Sequence, residues 1–171
     1  MSQMMNDIIK NRRSVRSFAD YMIPDRELWE MLSAGIMAPS GKDRRPWRFV
    51  IVRNREVIKS ISRSVVYSRF IRHAPQVVLL YSMVDPTYPV EKDLIGIGAC
   101  LENILLVATE KGYGSCVIGE LFDKQRELAQ YVNADTSGLK LVCGVVIGQS
   151  IKPIGDKPSL YVQDYVIDMV E

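Results

Sequence analysis

Apolar side chains recur every three or four residues in three segments, which is the spacing of one helix face. The first covers about residues 4–10, and the second begins after Pro24 and must end before Pro39, because the residue preceding a proline avoids the helical region. In the third and longest, Asp93 is the predicted N-cap and Gly112 the predicted C-cap. Its other faces are apolar too, so we expect this helix to be buried all round, and a second subunit is one way to bury it.

Short runs of β-branched and other apolar residues predict four buried strands. They cover residues 49–52, 77–81, 116–118 and 139–147. Helices and strands mix without the strict alternation of repeated βαβ units, which favours an α+β fold over a doubly wound sheet. No repeat or linker divides the chain, so we expect one domain over residues 1–171.

Composition narrows the class of protein. Of 171 residues, 47% are hydrophobic and 25% charged, which excludes a disordered chain. No apolar run reaches the ~20 residues that span a bilayer, and the N-terminus lacks the pattern of a signal peptide. The three cysteines are isolated, which argues against a disulfide framework. We therefore expect a cytoplasmic protein with no membrane partner.

Charge is distributed unevenly along the chain. Residues 1–72 contain 15 basic and 7 acidic side chains, whereas residues 73–171 contain 7 basic and 13 acidic ones. This asymmetry predicts an anionic partner for the first part of the chain. Nucleic acid, a membrane surface and a phosphorylated small molecule all remain open at this point.

Several familiar motifs fail on inspection. Residues 35–43 have five residues between the glycines of a phosphate loop, where four are needed, and Asp43 stands where a hydroxyl should follow the lysine. Residues 96–98 lack the third glycine of a dinucleotide fingerprint and fall inside a predicted helix. His73 is the only histidine, so a histidine-rich zinc site is not available and we predict no metal. A lone histidine just before a strand is more often structural than catalytic, which disfavours a Ser-His-Asp triad.

Two basic segments remain as candidate sites. In an extended segment, alternate residues point the same way, so Arg12, Ser14 and Arg16 can present two guanidiniums and a hydroxyl to one phosphate. The alternative is a solvated basic turn. The second segment, residues 38–49, is an ordered Pro- and Gly-containing loop that leads into the first strand, with Trp47 as a core residue.

Together these segments resemble the nitroreductase family of FMN-dependent oxidoreductases. The likeness extends over about residues 6–149, and each motif alone is weak, whereas their order and spacing are specific. The motifs that carry it are Arg-Arg-Ser-Val-Arg-Ser-Phe at 12–18, Ala-Pro-Ser-Gly at 38–41, Pro-Trp at 46–47, Ala-Pro at 74–75, Asp93 with the Glu-Asn of the following helix at 102–103, the glycine-rich stretch 111–119 and Val-Val-Ile-Gly at 145–148.

The resemblance implies a homodimer with a mixed sheet flanked by helices, a long buried central helix, and an FMN shared by the two subunits. The tail of about residues 150–171 would pack on the partner. NADH or NADPH would reduce the flavin at N5, and a nitroaromatic, quinone-like or related small-molecule oxidant would then take its place. Dehalogenation, flavin fragmentation and heterocycle oxidation are alternatives within the family. A basic nucleic-acid-binding protein is the non-enzymatic alternative, but no nucleic-acid-binding motif supports it, and we predict no such partner.

The resemblance also implies site residues, with no catalytic acid or base among them. Arg12, Arg13, Ser14 and Arg16 would belong to one protomer's flavin site: Arg12 and Ser14 would hold the phosphate, and Arg16 would reach the pyrimidine edge. Lys157 would be a second phosphate ligand, for which Lys152 is equally available.

The remaining implied residues line the ring system. Ile118 and Gly119 would lie along the ring near N5, and the other protomer would contribute a group of loop residues, namely Pro39, Ser40, Gly41, Asp43 and Arg45. Asp43 and Arg45 replace an asparagine and a glutamine that are frequent in the family. This departure leaves open whether Arg45 pairs with Asp43, contacts the flavin or attracts an anionic substrate.

Overall fold

Six helices and four strands follow one another irregularly in the part of the chain that the computed structural model describes, residues 2–66, 69–152, 155 and 160–170. The helices are α1 (Ser2–Asn11), α2 (Asp25–Ile36), α3 (Arg55–Arg63), α4 (Arg69–Arg72), α5 (Val90–Glu110) and α6 (Gln125–Leu128). The strands are β1 (Trp47–Val52), β2 (Val77–Met83), β3 (Gly114–Ile118) and β4 (Leu139–Gly148). Short 3-10 turns cover Gly41–Asp43, Gly119–Asp123 and Val162–Tyr165.

The strands form one sheet in the order β1-β2-β4-β3, and each neighbouring pair is antiparallel. Phe49 lies opposite Leu80, and the register of β2 against β4 shifts between Leu80 and Tyr81. The α+β class is confirmed. A mixed sheet, with parallel as well as antiparallel pairs, was expected. Among the described residues, the parallel pairing in this sheet is limited to one isolated bridge between Ser14 and Ser115, at the edge formed by β3.

Strand β2 separates two hydrophobic cores. Its side chains alternate between the faces of the sheet, so Leu79 belongs to the core beneath α3 and α4, and Leu80 to the core beneath α2 and α5. Both residues are at most 1% exposed. Burial on both faces explains why β2 is a continuous apolar run in the sequence rather than an alternating one.

The long central helix is confirmed, but the predicted N-cap is wrong. Helix α5 begins at Val90 with Pro89 as its N-cap, and no side chain caps it. Asp93 lies instead in the first turn with 2% exposure, and its carboxylate accepts hydrogen bonds from Arg44. The carboxylate is thus engaged by a residue distant in sequence rather than by the helix's own N–H groups.

The other end of α5 is closed by Gly112, one residue beyond the C-cap Lys111. Gly112 has φ = 79°, its N–H donates to the Thr109 carbonyl (3.0 Å), and the N–H of Tyr113 donates to the Ala108 carbonyl (2.8 Å). These two bonds define a Schellman motif, which uses glycine because it tolerates positive φ.

One side of α5 remains open to solvent in the single chain. Ile97 and Ile104 are each 2% exposed, whereas Ile95 is 76% exposed. The prediction that α5 is buried all round therefore holds within one chain only for the faces toward α2 and the sheet. No helix in the described part of the molecule combines the length and apolar character needed to cross a membrane.

The close packing of α2 on α5 leads to a stability prediction. A Cβ added to Gly35 would lie 2.7 Å from Cγ1 of Ile104, so Gly35→Ala overpacks the interface. We expect a net loss of about 1–2 kcal/mol in the free energy of unfolding, since overpacking exceeds the gain in helix propensity. Urea denaturation at fixed protein concentration measures it.

The matched control is the same change in an Ile104→Ala background, which removes the two nearest atoms, Cγ1 and Cδ1 of Ile104, and leaves Cys100 Sγ at 3.1 Å. There Gly35→Ala should cost much less. An equal cost in both backgrounds would contradict the packing explanation.

Candidate functional site

A cleft of about 1210 Å³ opens beside the end of β3. One wall consists of residues 116–120, and another of residues 16–20 and 151–152. Helix α4 and the segment after it provide the third wall through Arg69, Phe70 and His73. Since pockets for small molecules commonly range from about 300 to 1,000 Å³, this cleft has room for a ligand larger than a simple substrate.

The charge of the cleft is predominantly positive. Arg55 is paired with Asp20, and it also donates to the Ala74 carbonyl at 3.0 Å. Glu120 accepts a hydrogen bond from the backbone N–H of Val66. Three further cations that line the cleft have no carboxylate partner in the part of the chain that the structure describes: Arg16, Arg69 and Lys152. An anionic ligand is the natural complement of such a cleft.

The Arg-Arg-Ser-Val-Arg segment is fixed to β3 by its valine. The N–H of Val15 donates to the Ser115 carbonyl at 2.8 Å, and the Val15 side chain is buried against Gly114, where a Cβ would lie 2.7 Å away. Because Val15 points inward, its neighbours Ser14 and Arg16 are exposed. Arg16 lines the cleft.

The two other arginines of this segment differ in their surroundings. Arg12 forms an ion pair with Glu102 of α5, with Nε and Oε1 3.2 Å apart, and does not line the cleft. Arg13 Nη1 is buried without a hydrogen-bond partner among the described residues. A buried polar atom without a partner costs about 1–3 kcal/mol, and more when charged, so an unpaired guanidinium nitrogen points to a missing acceptor.

Ile118 and Gly119 lie where β3 ends in the cleft. Ile118 is 4% exposed, whereas Gly119 is exposed, and no atom lies within 4 Å of the position a Cβ would take. The backbone is therefore open to a flat ligand. In the same wall, burial raises the pKa of the Cys116 thiol, and the nearby Arg16 lowers it by a smaller amount.

The loop that carries Pro39 to Arg45 lies apart from this cleft, against the first turns of α5. A Cβ at Gly96 of α5 would lie 3.2 Å from the Pro39 carbonyl oxygen, so glycine permits this approach. The hydroxyl of Ser40 accepts the N–H of Arg45 at 2.9 Å. The Arg45 guanidinium binds both Asp43 oxygens, at 2.9 and 2.7 Å. Of the possibilities left open for Arg45, the structure therefore shows its pairing with Asp43.

The backbone of this loop is strained. Three non-glycine residues have positive φ: Lys42 (55°), Asp43 (52°) and Arg45 (49°). Each such conformation costs of order 1–3 kcal/mol and persists only where surrounding contacts enforce it. The strain marks residues 40–45 as a segment held in one specific shape.

Arg44 is a residue of this site that sequence reasoning missed. Its Nη1 lies 2.6 Å from Asp85 Oδ2, its Nε lies 3.3 Å from Asp93 Oδ1, and its guanidinium carbon lies 4.3 Å from the centre of the Tyr88 ring. Asp85 and Asp93 are more than 40 residues away from Arg44 along the chain, so no local sequence pattern predicts these contacts.

A shallower groove of about 640 Å³ runs between α2 and the edge strand β1. The exposed apolar side chains along it are Trp29, Ile36 and Met37. Asp43, Arg45 and Arg48 also line the groove, and because Asp43 pairs with Arg45, the net positive charge comes from Arg48. The groove thus presents an apolar surface with cations at its margin, beside a strand edge that no described strand covers.

The predicted site residues fall into two groups on one chain. Arg16, Ile118 and Gly119 share the cleft with Lys152, and the segment containing Arg12, Arg13 and Ser14 adjoins it through Ser115. The second group is the loop near the start of α5, with Pro39, Ser40, Gly41, Asp43 and Arg45. Lys157 lies outside the described residues, whereas Lys152 is in the cleft. Among the described residues, His, Cys, Asp and Glu form no cluster suited to a metal.

The chain belongs to the nitroreductase family, whose model matches residues 9–66 and 62–149. It is 33% identical, over 66% of its own length and 65% of the relative's, to a protein of Archaeoglobus fulgidus provisionally named NADH dehydrogenase/NAD(P)H nitroreductase. A relative of the same name in Methanothermobacter thermautotrophicus is 32% identical over 66% of this chain and 59% of that protein. The chain thus spans less than two thirds of the length of these relatives.

The fold is shared with solved structures. A protein of Desulfovibrio desulfuricans, provisionally named a nitroreductase and solved in complex with FMN, superposes with a TM-score of 0.87 at 24% identity, covering 98% of this chain and 97% of that one. At this identity the likeness shows the fold.

The Arg44 network leads to a prediction about acid stability. The hydroxyl and N–H of Thr87, followed by Arg44, lower the pKa of Asp85 from 3.8 to about 2. Since the folded-state pKa is depressed, the stability that the ionised carboxylate contributes is complete above about pH 4 and is lost as the pH falls toward 2. Asp85→Asn should therefore be less stable than the parent at pH 7, and the difference should shrink near pH 2.5.

Urea midpoints of the two proteins at both pH values measure this effect. Asp123→Asn, which removes an exposed carboxylate of equal charge, is the matched control. A parent-to-variant difference that stays constant between pH 7 and pH 2.5 would rule out the proposed linkage.

Proposed function

We propose that the protein is an FMN-dependent oxidoreductase that takes reducing equivalents from NADH or NADPH and passes them to a nitroaromatic, quinone-like or related small acceptor. The observation that carries this proposal is the positively charged cleft at the end of β3, in a chain of the nitroreductase family. The relatives named above support the nicotinamide donor, and the Desulfovibrio desulfuricans structure supports FMN.

The residues present fit FMN in two respects. The buried, unpaired Nη1 of Arg13 lacks an acceptor that a phosphate would supply, and the open backbone at Gly119 leaves space for a planar ring. Arg13 and Ser14 would hold the phosphate with Lys152, and Arg12 would join them by leaving Glu102. Arg16 would lie at the pyrimidine edge.

When bound, FMN supplies hydride acceptance and donation at N5, and the chain supplies binding, orientation and electrostatics. Arg16 would place a fixed cation where reduced flavin carries negative charge, which favours the reduced form. The backbone of Ile118 and Gly119 would support the ring without a side chain in the way. Donor and acceptor would occupy the same cleft in turn, so no protein acid or base is required.

We further propose that the molecule acts as a homodimer in which the loop of residues 39–45 completes the partner's flavin site. Two observations support this arrangement. The loop lies outside the cleft of its own chain, and the open side of α5, with Ile95 76% exposed, offers an apolar surface for a second subunit.

The end of the chain would strengthen this dimer. Residues 160–170 are exposed throughout, and most are large and apolar, including Ile167 at 103% exposure. The acidic Asp164 and Asp168 within the segment complement Arg48, the groove arginine that has no carboxylate partner in the part of the chain that the structure describes. We propose that the tail of one subunit packs in that groove of its partner, which would also cover the edge strand.

The flavin assignment predicts how binding depends on Arg13. In protein stripped of flavin and titrated with FMN, Arg13→Ala should raise the dissociation constant about 10- to 100-fold, the equivalent of losing a charged hydrogen bond worth about 1.5–3 kcal/mol. Quenching of flavin fluorescence measures it. Arg126→Ala, an exposed arginine outside the cleft, should bind as the parent does. A parent protein that does not bind FMN would overturn the proposed function.

The tail assignment predicts the effect of a charge at Ile167. Because this side chain is fully exposed in the single chain, Ile167→Asp should leave the folded subunit intact while raising the dimer dissociation constant at least tenfold. Sedimentation equilibrium measures it, with Tyr131→Asp, near α6, as the control. An unchanged dimer constant in Ile167→Asp would show that the tail lies elsewhere.

A further inference from the structure

The contacts of Arg44 reach beyond its own loop. It connects the loop to Asp85, which follows β2, and to Asp93, in the first turn of α5. Its side chain is 21% exposed and that of Asp93 is 3% exposed, so the ion pair is largely protected from solvent and its partners are fixed by packing. Two segments distant in sequence thus hold one side chain of this loop, in addition to the packing of Pro39 and Ser40 on Gly96 of α5.

Tyr88 completes this arrangement from the other side. The Arg44 guanidinium stacks on its ring, and a Cβ added at Gly41 would overlap its hydroxyl. The ring is therefore in contact with both ends of the strained segment. Tyr88 precedes Pro89, the N-cap of α5, so the ring is anchored at the start of the helix.

Residues on either side of Arg44 are those assigned to the flavin. The N–H of Arg45 is held by Ser40, and the Asp43–Arg45 pair faces solvent with 71% and 65% of the side chains exposed. The backbone that directs both side chains outward has positive φ at Asp43 and at Arg45. A loop freed from Arg44 can relax to ordinary φ values, which would reorient both side chains.

We propose that Arg44 is a positioning residue: by joining Asp85, Asp93 and Tyr88 it fixes the 40–45 loop in the shape that presents Ser40, Asp43 and Arg45 to the flavin of the partner subunit. This inference rests on the proposed function and adds to it a residue that does not itself touch the cofactor.

The first test compares Arg44→Leu and Arg44→Lys with the parent, and uses Arg26→Leu, an exposed arginine on α2, as the matched control. The probe is FMN added to flavin-free protein. We expect Arg44→Leu to raise the FMN dissociation constant at least tenfold, and Arg44→Lys, which keeps one charge but loses the fork, to fall in between. At saturating FMN, the visible circular dichroism of the bound flavin should change in Arg44→Leu and remain that of the parent in Arg26→Leu.

The spectrum separates positioning from general destabilisation, because folded protein saturated with FMN should show the parent spectrum if the loop is unchanged. Parent-like affinity together with a parent-like spectrum in Arg44→Leu would overturn the inference while leaving the proposed function intact. If the parent itself fails to bind FMN, the proposed function is wrong, and so is the inference that Arg44 positions the loop for flavin binding.

If Arg44→Leu does not fold, a second pair of variants tests whether the contacts of Tyr88 with the loop position it for FMN binding. Gly41→Ala should displace Tyr88 and raise the FMN dissociation constant at least fivefold, and adding Tyr88→Phe should restore it to within twofold of the parent, because the overlapping hydroxyl is gone. Tyr88→Phe alone keeps the ring under Arg44 and should bind as the parent does. Equal affinities of Gly41→Ala and the double variant would overturn the inference.

Discussion

Burial of β2 on both faces is the constraint on which the rest of the molecule depends. A strand enclosed on both sides needs a helical layer on each, and α2 with α5 supplies one while α3 with α4 supplies the other. The outer strands β1 and β3 are left at the two edges of the sheet. The β3 edge borders the cleft and the β1 edge borders the groove, so the proposed ligand and partner surfaces lie at opposite edges of one sheet.

Helix α5 connects these two ends. In its first turn, Asp93 pairs with Arg44 of the strained loop, and near its middle Glu102 pairs with Arg12. The two groups of predicted site residues thus contact the same helix at different positions along its length. In a dimer formed along the open side of α5, the spacing between the groups would be set by the helix rather than by the loops themselves.

Much of the fold could be predicted from apolar patterns, since β2 and β4 are continuous hydrophobic runs and α5 has clear helical spacing. Helix α3 was missed because it has few apolar residues and serines share its buried face with Ile58 and Ile61. Its start is nevertheless marked by the Asn54 side chain, which caps it by accepting the N–H groups of Glu56 and Val57. A sequence reading that weighed Asn54 as an N-cap would have found this helix.

The candidate site could be predicted only in part, for a physical reason. Segments rich in arginine, glycine and proline can be recognised from local sequence alone, and the residues around Ser14 and Ser40 were predicted in this way. Ion pairs between residues distant in sequence cannot be recognised locally, because the partners of Arg44 and Arg12 are brought together only by tertiary folding. The same cause produced the wrong N-cap at Asp93, whose carboxylate serves a long-range contact.

The burial of the three cysteines has a consequence for chemical durability. Burial, with a smaller contribution from Cys143, raises the pKa of Cys100 to about 12, and burial alone does the same for Cys143. At pH 7 only about one thiol in 10⁵ would then be ionised, and the thiolate is the form that oxidants attack. Cys100 and Cys143 are therefore poor targets for oxidants, so in the proposed oxidoreductase the core that contains them would resist oxidative damage.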